Sequence, residues 1–273
     1  MRIPTVSQSH CQESALLPAG ARSHKGFPIL VRDIVPPVAS SALPPSKLRP
    51  VRVLVLGGIH GDELTASAIV FHWIQQMQTP AAKSIHWKVA PVVNPDGLLA
   101  AKPMRVNANG VDLNRNFPTP HWLQEAPKYW AKATGSDPRR FPGSAPLSEP
   151  ESRWVNDTIE RFQPDVIVSV HAPFGVLDFD GPATPPQRFG RLMYNRVGVY
   201  PGSLGNYSGL HKQVPIITIE LPNAQNMPPA AETQRIWQDM LRWIRRNVQP
   251  RTKPATLVQT PPAAPLSLAQ EQK

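Results

Sequence analysis

The chain has 273 residues, of which 41% are hydrophobic, 34 are proline and one is cysteine, and it carries a formal charge of +10. That length suits one large α/β domain or two small ones and is enough to bury a sizeable core. Apolar runs such as VRVLVLGG and DVIVSV exclude a chain disordered throughout, while no run approaches the ~20 residues that span a bilayer, so no membrane partner is expected.

The charge is unevenly spread. Residues 1–50 carry six Lys/Arg against two Asp/Glu, and residues 250–273 carry three against one, which leaves only +4 of the +10 to residues 51–249. No zinc-finger spacing, RNP-type aromatic pattern or long basic run accompanies it, so a nucleic-acid partner is not expected. The N-terminal stretch MRIPTVSQSHCQESALLP lacks the continuous apolar core of a secretory signal. Cys11 has no second cysteine to pair with, and the two observations predict a cytoplasmic protein. Residues 1–19 read as a flexible leader, 20–249 as a single folded domain and 250–273 as a disordered Pro/Ala-rich tail. Oligomeric state leaves no mark in this sequence.

Within the domain, Val51–Leu56 is a nearly continuous apolar run and reads as a strand buried on both faces. It runs into Gly57-Gly58-Ile59-His60-Gly61-Asp62-Glu63 and then into a helical pattern over Leu64–Gln76. Trp87–Val93 reads as a second strand, followed by the turn Asn94-Pro95-Asp96-Gly97. The segment Met104–Pro118 is dense in Arg and Asn, groups that bind anions or else serve turns. Pro118–Leu147 is rich in Pro, Gly and aromatics and reads as a surface loop. Glu149–Phe162 is a helix with Ser148 as candidate N-cap and Pro150 in its first turn. Val166–Val170 and Ile216–Ile219 are two further buried strands, and Thr233–Val248 is an amphipathic helix. Its basic face suits a membrane surface or, more simply, solvent beside an apolar stripe packed on a sheet. Strands alternating with helices define an α/β fold: a single domain with a mixed, mainly parallel central sheet flanked by helices.

Chemistry gathers where these strands end. His60 and Glu63 follow the first strand, and an imidazole and a carboxylate at this spacing can present two zinc donors or simply begin a solvated helix. Ligands in such sheets bind beyond the carboxyl ends of strands. A catalytic zinc normally has three protein donors, and among the eight histidines only His171 ends a buried strand. Glu220 ends another. A carboxylate placed there is either a salt-bridged strand end or a proton carrier beside a metal.

Taken together, Ser23–Ile29, Gly57–Glu63, Asn94–Gly97, Gly110–Pro118, Ser148-Glu149-Pro150-Glu151, His171 and Ile219-Glu220-Leu221 resemble, in order, the motifs of the M14 zinc metallocarboxypeptidase family over roughly Gly20–Asn247. The resemblance implies a zinc carboxypeptidase-like catalytic domain with one zinc ion per chain, held by His60, Glu63 and His171. It further implies Glu220 as general base and acid, Arg105 as the oxyanion-stabilising cation, and Asn114 and Arg115 as the grip on the carboxylate of the released residue. Asp112 would orient His60, and Tyr200 would cap the substrate, with Tyr207 as its competitor for that role. The segments His171–Pro182, Gly202–Tyr207 and Glu220–Pro222 look most like the murein peptide amidase branch. That branch implies hydrolysis of the γ-D-glutamyl–diaminopimelate bond of cell-wall peptides during their recycling, on a small peptide whose leaving residue bears a carboxylate. Asp178, Asp180 and Lys212 are candidates for the side-chain pocket. A general carboxypeptidase, an N-acyl amino-acid deacylase of the aspartoacylase or succinylglutamate desuccinylase type, and a non-catalytic binding module are the competing readings.

Overall fold

The computed structural model describes residues 2–37 and 49–251. The expected Pro/Ala-rich tail therefore lies, from residue 252 onward, outside the described residues. The parallel heart of the sheet is built from β3 (Arg52–Leu56), β4 (His86–Ala90), β5 (Val166–His171) and β9 (Ile216–Glu220). β3 pairs in parallel with β4 and with β5, and β5 with β9. β1 (Leu17–Arg22) and β2 (Pro28–Ile34) add antiparallel strands beyond β4. On the other side, β6 (Val176–Asp180) runs antiparallel to β9 and leads to the short β8 (Leu192–Tyr194) and β7 (Arg188–Phe189). Among the described residues nine strands form one mixed sheet in the order β1-β2-β4-β3-β5-β9-β6-β8-β7.

The continuous apolar runs follow from burial on both faces. Val53 and Val55 of β3, with Val166, Val168 and Val170 of β5, meet helices α2 (Leu64–Met77) and α6 (Ala230–Asn247) through Ile69, Trp73, Trp237 and Met240. The alternate residues Leu54, Leu56 and Ile167 meet Val155 and Ile159 of α5 (Pro150–Phe162) on the opposite face. Three tryptophans lock the first face, with the Trp237 ring 5.9 Å from Trp73 and 5.5 Å from Trp87. The basic face of α6 is solvated: Arg242, Arg245 and Arg246 are exposed while Ile236, Met240 and Ile244 are buried.

Several local expectations need correction. Residues expected to form a flexible leader are folded: α1 (Gln8–Glu13) is capped by Ser7, Val6 packs on Ala68 and Phe71 of α2, and β1 pairs with β2. Their apolar content is low because they cover the rim of an existing core and do not form one. The excursion over 118–147 contains a helix, α4 (Trp122–Ala133), with Pro127 inside it. A proline at that position reads as a breaker, yet buried Trp122 anchors the helix, its indole N–H donating to the Arg115 carbonyl at 2.9 Å. β4 stops at Ala90, before Pro91, which has no N–H for the ladder. The N-cap of α5 is Glu149, and the Ser148 hydroxyl donates to the Glu149 carboxylate instead of capping the helix. The Asn94–Gly97 turn opens a short helix, α3 (Pro95–Leu99), in which Asn94 Oδ1 accepts from the Gly97 N–H.

Trp237 touches two other tryptophans, so its removal leaves a cavity the sheet cannot collapse around. Trp237→Ala is expected to cost about 3–5 kcal/mol, read from the denaturant midpoint of purified protein. A loss below about 1 kcal/mol would show that the tryptophan cluster does not sustain this face.

Candidate active site

Three neighbouring parallel strands deliver the site. β3, β5 and β9 lie side by side, so their carboxyl ends share one edge of the sheet. The residues placed there are His60 and Glu63 after β3, His171 at the end of β5 and Glu220 at the end of β9, with His171 and Glu220 in register. The loop between β3 and α2 needs its glycines. Gly58 has φ +58, and a Cβ at Gly61 would sit 2.3 Å from the backbone of Gly97, so the loop can lie against α3 only without side chains.

His60, Glu63 and His171 are all buried. The Nδ1 of His60 lies 2.8 Å from Glu63 Oε1 and 3.2 Å from His171 Nδ1, which in turn lies 3.1 Å from Glu63 Oε2. Each far nitrogen is tied elsewhere. His60 Nε2 donates to Asp112 Oδ1 at 3.0 Å, and His171 Nε2 is 2.9 Å from the Ser169 hydroxyl. Asp112 only accepts, so its bond places the His60 proton on Nε2 and leaves the Nδ1 lone pair turned inward. Two imidazole nitrogens and a carboxylate then converge within 4.8 Å, three groups that each offer a lone pair to one point when the rings are unprotonated there. Donor type, number and convergence fit a zinc ion.

Asp112, fully buried, is the hub of the electrostatics. Besides His60 it accepts from Nε and Nη2 of Arg105, both at 3.0 Å, and from the Asn114 N–H. Burial alone would raise its pKa, but Arg105 and His60 hold it well below the usual carboxylate range. Burial lowers the pKa of Arg105, and Asp112 and Glu63 more than reverse this, so the guanidinium stays charged. Glu63 is likewise drawn down, against its burial, by the two histidines.

Glu220 behaves in the opposite way. Burial pushes its carboxyl up and Glu63 adds to this, against the pull of His171. Its Oε2 is buried without a hydrogen-bond partner among the described residues. A salt-bridged strand end, the alternative for Glu220, is therefore not what this strand carries: no ion pair to Glu220 occurs among the described residues.

Arg115 is buried, and its Nη1 donates to the Asn114 carbonyl at 2.7 Å. It has no carboxylate partner among the described residues, its Nε is unbonded, and burial lowers its pKa. Asn114 Oδ1 accepts from the Leu204 N–H at 2.8 Å. The Tyr200 ring lies over Arg115, 4.5 Å from the guanidinium carbon. His60, Glu63, His171, Arg105, Asn114, Arg115, Tyr200 and Glu220 line one cavity of about 810 Å³, together with Asp178 and Asp180. Tyr207 is not there: it is buried, stacked on Phe117 and bonded to Asn156, so of the two tyrosines Tyr200 faces the cavity. Lys212 is also elsewhere, paired with Glu160. Ser23, whose motif lies apart from the chemistry, donates to Asp96 at 2.5 Å and so ties β1 to α3.

Sequence reasoning passed over Ser169, which backs His171, and Arg139 and Arg140, which a 3₁₀ turn (Pro138–Arg140) brings to the cavity. Ser169 lies two residues before His171 on the same strand and so on the same face, a signal present in the sequence. Arg139 pairs with Asp62 at 2.8 Å across 77 residues, and nothing local announces that.

This chain belongs to the zinc carboxypeptidase family: residues 7–177 match the family model of that description. It is thus a zinc-dependent metallopeptidase or amidase, with the carboxypeptidase-like fold expected of it. It is 33% identical over 200 residues to murein peptide amidase A of Escherichia coli K12, an alignment that spans 70% of this chain and 79% of that protein. It is 32% identical over 179 residues to murein peptide amidase A of Vibrio campbellii, covering 63% of this chain and 69% of that one. Among solved structures, the murein-tripeptide amidase of Escherichia coli O157 superposes with a TM-score of 0.55 at 25% identity, over 82% of this chain and 90% of that one. Carboxypeptidase A of Helicoverpa armigera shares the fold, with a TM-score of 0.60 at 19% identity over 85% of this chain and 69% of that one. No helix among the described residues is long and apolar enough to cross a membrane.

Because Asp112 sets both the His60 tautomer and the Arg105 position, Asp112→Asn is expected to weaken zinc affinity about 10–100-fold. Competition against a calibrated chelator measures this, and an unchanged affinity would remove Asp112 from the metal's support.

Proposed function

We propose that this chain hydrolyses the γ-D-glutamyl–diaminopimelate bond of murein tripeptide, in the cytoplasm, as a step in recycling cell-wall peptides. The observation that carries the proposal is the buried Arg115 beside Asn114, without a carboxylate partner among the described residues, in the same cavity as the His60–Glu63–His171 cluster and Glu220. It is supported by the 33% identity to murein peptide amidase A.

His60, Glu63 and His171 are the residues to hold zinc. When bound, zinc supplies Lewis-acid polarisation and draws the pKa of a water towards about 7. Arg115 and Asn114 take the carboxylate of the leaving residue, with Arg115 offering a planar fork that matches two oxygens. The Tyr200 ring covers this grip and sheds water from it. Arg105, held in place by Asp112, turns Nη1 towards the metal cluster, 3.4 Å from Glu63, and donates there to the oxyanion as it forms. Glu220, its carboxyl raised by burial, accepts the proton of the attacking water and returns it to the departing amine.

Incubation of purified protein with L-Ala-γ-D-Glu-diaminopimelate is expected to release free diaminopimelate, and chelation of zinc is expected to stop it. An ordinary α-linked peptide with a free C-terminus serves as the comparison. Cleavage of that peptide alone would establish a general carboxypeptidase instead. Glu220→Gln is expected to keep one zinc per chain and to lose about 10²–10⁴ in kcat; turnover near that of the unaltered chain would refute the role of Glu220. Arg115→Lys keeps the charge but loses the fork, and a rise in KM is expected on any substrate with a carboxylate on its leaving residue.

A further inference from the structure

Helix α4 carries a stripe of packed residues. Trp122, Ala126 and Tyr129 are spaced by four and then three, and so share one face of the helix. Trp122 and Ala126 are buried and Tyr129 is half-buried, whereas Leu123, Gln124, Glu125 and Lys128 are exposed. This face meets the surroundings of Arg115 at two points. In the first turn the Trp122 indole N–H donates to the Arg115 carbonyl at 2.9 Å. Two turns further on, the Tyr129 ring lies 5.6 Å from the Tyr200 ring with 55° between their planes. That separation and tilt belong to the arrangements aromatic pairs favour.

Little else orients the Arg115 guanidinium. Its Nη1 donates to the Asn114 carbonyl, and its Nε has no hydrogen-bond partner among the described residues. The Tyr200 ring supplies a face for it, and a cation–π contact of this kind strengthens as water is excluded. The Tyr200 side chain is itself held at its tip, where the hydroxyl donates to the Val197 carbonyl at 2.9 Å. Its backbone is held by the next turn, in which the Gly202 N–H donates to Thr119 Oγ1 at 3.0 Å. Gly202 has φ +75, and a Cβ there would collide with the Arg115 carbonyl oxygen, so this turn sits directly on Arg115. What remains is the flat of the Tyr200 ring, and Tyr129 is the aromatic group that packs on it. Tyr129 does not itself line the cavity.

We propose that Tyr129 is a positioning residue for the carboxylate grip: by packing on Tyr200 it holds that ring over Arg115 and keeps the guanidinium fork presented to the carboxylate of the leaving residue. Without Tyr129 the Tyr200 ring gains freedom that binding must then take away, and the cost falls on affinity. The proposal rests on reading Arg115 as that grip, and it holds for a γ-linked and an α-linked bond alike.

The test uses the full zinc-loaded chain and whichever peptide it hydrolyses, murein tripeptide or the α-linked one, since both carry a carboxylate on the leaving residue. Tyr129→Ala is expected to raise KM about 3–10-fold while kcat and zinc content stay within about twofold. Tyr129→Leu, which keeps apolar bulk on α4 but no ring, is expected to do the same, and Tyr129→Phe, which keeps the ring, to restore the KM. Combined with Tyr200→Ala, Tyr129→Ala is expected to add less than about 1.5-fold, because the two act through one contact. A loss confined to kcat, or a KM effect that adds in full to that of Tyr200→Ala, would show that α4 only supports the fold and overturns the proposal. A KM raised by Arg115→Lys but unmoved by Tyr129→Ala also overturns it, and leaves the reading of Arg115 standing. A KM unmoved by either substitution removes both. For a chain that cleaves neither peptide, calorimetric titration with norleucine and with norleucinamide requires no turnover. The acid is expected to bind more tightly than the amide, and Tyr129→Ala to reduce that preference by the same factor. Equal affinities in the unaltered chain, heat from neither ligand, or a preference that survives Tyr129→Ala overturns the proposal.

Discussion

The parallel pairing of β3, β5 and β9 is the constraint from which the active site follows. Parallel neighbours end on the same side, so three strands far apart in the chain place His60, Glu63, His171 and Glu220 at one edge without any loop having to reach for another. The same pairing buries both faces of these strands, under α2 and α6 on one side and α5 on the other. The core that stabilises the domain and the scaffold that aims the donors are thus one object. A slip of one residue in β5 or β9 would turn His171 or Glu220 to the opposite face.

On that scaffold, charge is arranged so that each polar group constrains the next. Asp112 is shared by His60 and Arg105, so a single buried carboxylate sets a ring orientation on one side and a cation's position on the other. Glu63 is kept ionised by the histidines, whereas Glu220 is pushed towards its protonated form by burial and by Glu63. Two carboxylates at one strand edge are in this way assigned opposite tasks, one suited to a metal and one to a proton. Among the described residues Arg115 is buried without a carboxylate partner and Asp180 without an ion pair, and both line the same cavity.

Much of this was legible in the sequence because it is local. The run Val51–Leu56, the glycines around His60 and the buried strands ahead of His171 and Glu220 each carry their signal within a few residues. The α/β class follows from the alternation of such runs. The elements that sequence reading missed depend on partners elsewhere. β1 is the edge strand and β2 lies beside it, both with mixed exposure, which gives them no continuous apolar run. α1 covers α2 at the rim of the core, and α4 holds its place through Trp122 despite Pro127. Ser148 has the composition of an N-cap, yet the hydroxyl serves the Glu149 carboxylate.

The site divides in the same way. Residue types and spacing picked out His60, Glu63 and His171 as candidate donors and left Glu220 between a salt-bridged strand end and a proton carrier, because a strand that ends in a polar group announces itself without announcing its partner. Residue type could not choose between Tyr200 and Tyr207, since both lie in the same segment; packing did, by stacking Tyr207 on Phe117 and Tyr200 over Arg115. Nor could it separate Lys212, which turns to Glu160, from Asp178 and Asp180, which face the cavity. The chemistry available to the chain was written in its sequence. Which charges face one another across the cavity was decided by strand order and register, because these contacts join residues up to more than a hundred positions apart, such as His60 and His171.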